Sequence, residues 1–409
     1  MKKIQLGVIF GSRSCEREVA IISAVQLMNH VNTDRYDVIP VYIDEDGTWY
    51  TGKELRDIRT YVNFTPKGGI TPVTLDLHPG SGALLTFVEG KGPFDHPHEK
   101  LVARMDVCVV VMHGLHGEDG TLQGLLELAN LPYTSTGVAG SAIGMDKIMM
   151  KQFFRGCDLP VLPGTWYTRT RFEHDEADVL DDVEANLGYP VFVKPANLGS
   201  SIGVSRANDR DELRDSLTLA FDYDRRVLVE KGLDHPMELN CSVLGYDDEV
   251  LPSPIEMPVT VAEDDLLDFK DKYLRSGGSK GMASLSRILP APIDDATRDE
   301  IQALSCRIFR LLDCKGVVRI DYMFDKATEK LYITEINTIP GSLAFYLWEN
   351  AGISYTRLID RMVEFAIRAR EDKNNRNYAF TSNILAAVQL GGSKGAKGSK
   401  GGGGSKNVL

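Results

Sequence analysis

The sequence has no CxxC pair. Its six cysteines, at 15, 108, 157, 241, 306 and 314, lie scattered along 409 residues. This excludes the paired spacing of a cysteine-based zinc site, and a chain long enough to build its own core needs no disulfide framework. The cysteines read as reduced thiols in a cytoplasmic protein. No apolar run approaches the roughly 20 residues of a membrane span, so no membrane partner is expected. Met1-Lys2-Lys3 before Ile4–Phe10 has the outline of a stunted secretion signal, but Arg13, Glu16, Arg17 and Glu18 follow at once and the segment reads as a first β-strand. An excess of positive charge is also lacking. Lys and Arg number 46 against 58 Asp and Glu, a formal −12, which argues against a nucleic-acid partner. Internal repeats are absent. Acidic residues are absent after Asp372, and without the six later cations residues 1–372 carry −18 against −12 for the whole chain.

What is present alternates between strand and helix. Ile4–Gly11, Asp37–Ile43 and Val107–Met112 read as buried strands, and Glu18–His30 and Thr121–Asn130 as helices. Such alternation implies a parallel sheet with helices on its faces. Residues 60–100, rich in Gly, Pro and His, read as loops or a short hairpin. Strands follow at Pro190–Lys194 and Arg225–Glu230. The polar, glycine-bearing stretch 260–285 is too long for a turn and reads as a mobile loop. Beyond it come a helix over Asp294–Leu312, strands over Gly316–Phe324 and Leu331–Asn337, and a closing helix over Tyr355–Ala369. From Gly391 the chain is almost only Gly, Ser and Lys, the composition of a flexible tail, either a linker or a native basic extension.

Several segments carry chemistry. Lys194-Pro-Ala-Asn-Leu-Gly-Ser-Ser-Ile-Gly203 follows a strand; Gly199 and Gly203 let backbone amides approach an anion, and Lys194, Ser200 and Ser201 add donors. The alternative is an ordinary Gly-Ser turn. Period-2 alternation puts Arg319, Asp321 and Met323 on one face of their strand, and Ile333, Glu335 and Asn337 on one face of the next. Asp321, Glu335 and Asn337 are hard oxygen donors suited to Mg2+ shared with nucleotide phosphates; the alternative is a solvated strand face. Val227–Glu230 with Lys231-Gly-Leu233 offers backbone groups to an adenine edge, and Glu238 an acceptor for ribose. The His113–Gly120 loop follows a buried strand, where α/β sheets bind ligands. Its two His with Glu118 and Asp119 outline a metal site, but its glycines favour a loop shaped for backbone approach.

Together these segments resemble the D-alanine–D-alanine ligase family of the ATP-grasp superfamily. The resemblance runs from residue 4 to about 370, through Gly11–Val19, His113–Gly124, Met145-Asp-Lys147, Lys194–Gly203, Glu230–Leu233, Asp268–Tyr273, Arg319-Ile-Asp321 and Glu335–Gly341. It implies an α/β chain, α+β in its C-terminal half, of three-domain ATP-grasp architecture with an N-terminal Rossmann-like parallel sheet. The expected division is 1–140 for the N-terminal substrate domain, 141–240 for the central subdomain, 241–375 for the C-terminal subdomain with lid 260–285, and 376–409 for the tail. Its implied reaction is ATP- and Mg2+-dependent joining of two D-alanines through a D-alanyl phosphate, for peptidoglycan precursor synthesis. Carried over by position, Lys147, Lys194, Ser201, Glu230, Lys231, Leu233 and Glu238 look like the ATP site. Asp321, Glu335 and Asn337 look like ligands of two Mg2+ ions, with Mn2+ a substitute. Glu16 looks like the partner of the donor ammonium, in a hydrogen-bonded triad with Ser200 and Tyr273. Lys272 and Arg319 offset phosphate charge, the Gly341 amide completes an oxyanion site, and His113 lines the substrate. A cytoplasmic homodimer is implied. Two departures stand out. The usual Gly-Gly after the first strand is Gly11-Ser12. Tyr346, before Leu347, replaces the Ser that holds the acceptor carboxylate, leaving Tyr346 or Ser342 for that role. Tyr273 favours an amine acceptor. The alternatives are D-serine or D-lactate as acceptor and, more remotely, a non-catalytic nucleotide-binding regulator.

Overall fold

The apolar runs that open the chain form the centre of a sheet. In the computed structural model, which describes residues 2–90, 96–259 and 287–378, Ile4–Gly11 is β1 and lies between β2 (Tyr36–Ile43) and β7 (Val107–Met112), parallel to both. All six residues of β7 are buried, the pattern of a strand covered on both faces. Helix α1 (Arg17–His30) packs on β1, burying Val19, Ala20, Ile21, Ala24 and Leu27.

The sheet does not stay parallel. β3 (Trp49–Thr51), β4 (Thr71–Leu75), β5 (Ala83–Val88) and β6 (His98–Arg104) extend it to seven strands in the order β6-β5-β4-β3-β2-β1-β7, each added strand antiparallel to its neighbour. Residues 60–100, expected as loops or a short hairpin, therefore hold strands. Pro72 and the short Val73/Leu75 alternation weaken the sequence signal, and the outer edge β6 is almost wholly exposed, as antiparallel edges can be.

Two further four-stranded sheets and a two-stranded antiparallel pair, β14 (Met257–Pro258) with β15 (Arg287–Ile288), carry the rest. One orders β10 (Ser205–Ala207), β9 (Val191–Pro195), β11 (Arg226–Lys231) and β8 (Gly164–Thr168). Helices α6 (Glu176–Asn186) and α7 (Arg210–Tyr223) cover it through Val179, Leu180, Val183, Leu213 and Leu217. The other orders β13 (Glu249–Pro252), β12 (Met237–Tyr246), β16 (Lys315–Asp325) and β17 (Lys330–Asn337). Helix α8 (Asp295–Leu311), capped by Asp294 accepting from the Thr297 amide at 2.8 Å, packs Ile301, Ile308 and Phe309 against Val318 and Ile320. The final helix, α10 (Tyr355–Asn374), returns to the first sheet, where Leu358, Ile359, Met362 and Val363 join the core around β1 and β7.

The expected sharing of a face by Ile333, Glu335 and Asn337 is corrected by a bulge. Asp321 pairs with Glu335 but Tyr322 pairs with Ile333, so Thr334 has no opposite residue. One extra residue resets the alternation. Ile333 and Ile336 thus both enter the core, while Glu335 and Asn337 face the site. The Asp268–Tyr273 motif, with Lys272 and Tyr273, the proposed lid 260–285 and the tail from Gly391 lie outside the described residues.

Candidate active site

Four loops and four strand ends converge. After β1, Gly11 takes φ +97, where a Cβ would lie 2.1 Å from the Ile43 carbonyl oxygen. Ser12 follows at φ +112, fully buried, its Oγ donating to the Leu115 carbonyl at 2.6 Å. This turn delivers Glu16, 8% exposed, to the Asn197–Gly203 loop, where Ser200 Oγ donates to Glu16 Oε1. A Cβ on Gly199 would stand 2.5 Å from Glu16 Oε2, so a larger residue there would push the carboxylate aside. The loop is anchored at its base by Asn197, whose amide and Nδ2 both donate to Asp224 Oδ2, at 2.9 and 3.0 Å.

Helix α4 (Lys147–Gly156) supplies cations. Asp146 caps it, accepting from the Ile148 and Met149 amides at 3.1 and 3.0 Å. Lys147 Nζ donates to the Leu198 carbonyl at 2.7 Å and lies 3.4 Å from Glu335 Oε2. One turn on, and so on the same face, Lys151 is 1% exposed. Its Nζ meets Glu230 Oε1 and the Ile333 carbonyl at 2.8 and 2.9 Å. Lys194 Nζ takes the other Glu230 oxygen at 2.8 Å. Burial pushes the Glu230 carboxyl up, but Lys151 and Lys194 outweigh it and hold it at about 2. Lys151 was not among the sequence candidates; its i+4 spacing from Lys147 was the available signal. Lys231 Nζ turns away to the Tyr189 carbonyl at 2.8 Å, Leu233 is half-buried, and Glu238 is exposed but close enough to act electrostatically on Lys194.

At the centre, Asp321 and Glu335 face each other across β16 and β17, and Arg319 faces Asn337. Arg319 grips Asp321 with Nε and a terminal nitrogen, both at 2.6 Å, and Asn337 Nδ2 donates to Asp321 Oδ2 at 3.1 Å. Burial raises the Asp321 carboxyl to about 6; Arg319 opposes the rise, and Glu335 and Glu256 add to it. No group of three or more His, Cys, Asp or Glu among the described residues could hold a metal ion. Two carboxylates and an amide oxygen instead suit Mg2+, which is commonly bound through one or two carboxylates plus substrate phosphates.

The His113–Gly120 loop braces this centre and is no metal site. His113 is 4% exposed; its Nδ1 is 2.9 Å from the Ile339 carbonyl and its Nε2 3.3 Å from Ser23 Oγ. The carbonyl contact makes Nδ1 the donor, so Nε2 accepts from Ser23. Burial holds the imidazole down at about 4. Glu118, weighed from the sequence only as a metal ligand, accepts from the Gly114 and Ile339 amides at 2.9 and 3.1 Å. Burial and the Glu16 carboxylate push it up to about 8. Asp119 caps the loop's own backbone at His116 and Thr121.

Gly341 opens a turn in which Ser342, Leu343 and Ala344 all have left-handed φ, 48 to 56°. Helix α1 pins it: the Ser342 amide donates to Ser23 Oγ at 3.0 Å, and Ser342 Oγ to Gln26 Oε1 at 2.9 Å. Helix α9 (Phe345–Asn350) follows, with Leu347 fully buried. Tyr346 Oη donates to Glu256 Oε1 at 3.0 Å. The site thus gathers Glu16 with Ser200, Lys147 with Glu335, Lys194 with Glu230, and Arg319, Asp321 and Asn337. It does not bring Ser342 Oγ or the Lys231 ammonium to open positions.

A sequence profile described as D-ala D-ala ligase N-terminus matches residues 5–136, and one described as D-ala D-ala ligase C-terminus matches residues 153–364. The chain belongs to the D-alanine–D-alanine ligase family. It is therefore a member of the ATP-grasp superfamily and, by family, an ATP-dependent acid–amino-acid ligase. Similar relatives include the D-alanine–D-alanine ligases of Heliobacterium modesticaldum, 39% identical with 92% of this chain and 98% of the relative covered, and Thermosipho africanus, 35% identical with 93% and 98% covered. Among solved structures, the VanG D-Ala:D-Ser ligase of Enterococcus faecalis superposes with a TM-score of 0.73 at 27% identity, covering 89% of this chain and all of that one. The D-alanine-D-alanine ligase of Coxiella burnetii superposes at 0.71 with 23% identity, over 95% of this chain and all of that one, a likeness of fold. Family membership implies dependence on ATP and Mg2+. Among the described residues no helix is long and apolar enough to cross a membrane.

Proposed function

We propose that the chain joins two D-alanines using ATP, giving D-alanyl-D-alanine, ADP and phosphate for peptidoglycan precursors in the cytoplasm. One carboxylate oxygen of the first D-alanine attacks the γ-phosphate and ADP leaves. The amine of the second D-alanine then attacks the acyl carbon, loses a proton and expels phosphate. The observation carrying the reading is the meeting of Lys147, Glu335 and Asp321 in a chain matched to the family along nearly its whole length.

In this reading Asp321, Glu335 and Asn337 hold Mg2+, two ions in the full site, which neutralises charge on the transferring phosphoryl group. Lys147, Lys194 and Ser201 position the phosphates. The strand end Glu230–Leu233 meets adenine and Glu238 meets ribose. Glu16, with Ser200 and Tyr273, holds the donor ammonium. Arg319 and the Gly341 amide, with Lys272 by family likeness, offset the charge of the tetrahedral intermediate, where fixed donors act most strongly. We read the body as three units, 1–140 with a Rossmann-like parallel centre, 141–240 and 241–375, and the assembly as a homodimer, both resting on the family likeness.

D-serine as acceptor is the second reading, favoured by the likeness to the D-Ala:D-Ser ligase and by Tyr346 at the acceptor position. The test supplies ATP, Mg2+ and D-alanine alone, then with D-serine or D-lactate, and identifies products by mass. Dipeptide from D-alanine alone is expected. Product only with a second acceptor supports the alternative, and no ATP-dependent product contradicts both.

A further inference from the structure

The family resemblance leaves the acceptor's carboxylate to the hydroxyl of Ser342 or Tyr346, and the single proton of each is already committed. Ser342 Oγ donates to Gln26 and Tyr346 Oη to Glu256, and a hydroxyl has only one proton to give. Both residues are buried, 1% and 8% exposed, so turning either hydroxyl to a ligand breaks a hydrogen bond already made.

Arg287 stands beside them. Its guanidinium lies over the Tyr346 ring, 3.7 Å from the centroid, and one terminal nitrogen meets Glu256 Oε2 at 3.0 Å. Glu256, 3% exposed, also accepts from Asn240 Nδ2 at 2.9 Å. Asn240 sits opposite Asp321 on the neighbouring strand. A polar row therefore crosses adjacent strands from Glu335 through Asp321 and Asn240 to Glu256, and ends on Arg287 and Tyr346. The phenol lies within the electrostatic reach of both Arg287 and Arg319.

We propose that Arg287 binds the carboxylate of the acceptor amino acid, with Tyr346 and Glu256 as its positioning residues; this rests on the ligase reading above. The guanidinium is a planar five-donor fork matched to a carboxylate. Arg319 has one edge of its own fork on Asp321. Stacking on Tyr346 and pairing with Glu256 fix Arg287 before a ligand arrives, which lowers the ordering cost of binding. Three donors meet the Glu256 carboxylate, so it orients Arg287 while its repulsion of the acceptor is offset. The replacement of the family's Ser by Tyr346 thereby acquires a purpose: the ring is the platform for the residue that takes over carboxylate recognition.

The test uses the full chain with ATP, Mg2+ and D-alanine, with D-alaninamide as competing acceptor, and quantifies both products by mass. In Arg287→Gln the preference for D-alanine over D-alaninamide should fall about tenfold or more, the scale of one lost charge-assisted hydrogen bond. The carboxylate-free acceptor loses no partner. An unchanged preference overturns the proposal, because general damage lowers both products alike. If Arg287→Gln makes neither product, Arg287→Lys carries the same comparison: a reduced preference supports the proposal and an unaltered one overturns it. A parent chain that makes no D-alanyl product contradicts the ligase reading itself, and this is seen before any substitution is compared.

Discussion

Ser12 occupies a backbone conformation that glycine adopts at no cost, φ +112, and such strain in other residues costs about 1–3 kcal/mol. Its buried hydrogen bond to Leu115 returns roughly 1 kcal/mol. Ser12→Gly should therefore stay within about 1 kcal/mol of the parent, since released strain offsets the lost bond. Ser12→Ala keeps the strain, loses the bond, and should be destabilised by about 1–2 kcal/mol. Urea unfolding midpoints separate the two, and an alanine variant as stable as the glycine one contradicts this account. His113 makes a second prediction. Its imidazole is held at about 4 against an ordinary 6.5. Between those values the unfolded chain binds a proton that the folded chain does not, so stability rises with pH across that window and is lost as pH falls through it. His113→Asn keeps a donor for Ile339 and should flatten this part of the stability profile relative to the parent. An identical slope in the two proteins argues against a neutral buried imidazole.

At the scale of elements, the sequence showed some things and hid others for identifiable reasons. Strands β1, β7, β16 and β17 were legible because apolar runs and alternation are local. The bulge after Asp321 was not: pairing register depends on two strands at once, and Thr334 carries no mark of being the extra residue. Lys194 and Glu230 were recognised singly, but their pairing across β9 and β11 became visible only with the sheet order. Lys151 was hidden because a lysine on an amphipathic helix usually faces water, whereas here it is buried against Glu230. Removing one partner of a buried pair leaves an uncompensated charge and costs about 3–5 kcal/mol. Lys151→Met should lose stability on that scale, read as a lowered thermal midpoint. A midpoint equal to the parent's would show that Lys194 alone satisfies Glu230.

Over the whole molecule, three sheets each contribute one part of the proposed site. The first carries Glu16 and the His113 loop, the second Lys194 and Glu230, and the third Arg319, Asp321, Glu335 and Asn337. Helix α4 ties the second to the third, through Lys151 to Glu230 and Lys147 to Glu335. The order of these segments was readable along the chain. Their convergence, and the antiparallel half of the first sheet, depend on long-range pairing that residue spacing does not encode. In the proposed reaction the donor carboxylate becomes an acylphosphate before the peptide bond forms. The most direct measurement supplies D-alanine labelled with 18O in its carboxylate, together with ATP and Mg2+, and weighs the released phosphate. One labelled oxygen is expected in each phosphate released with dipeptide formation. Unlabelled phosphate accompanying dipeptide, or no D-alanine-dependent phosphate at all, would contradict it.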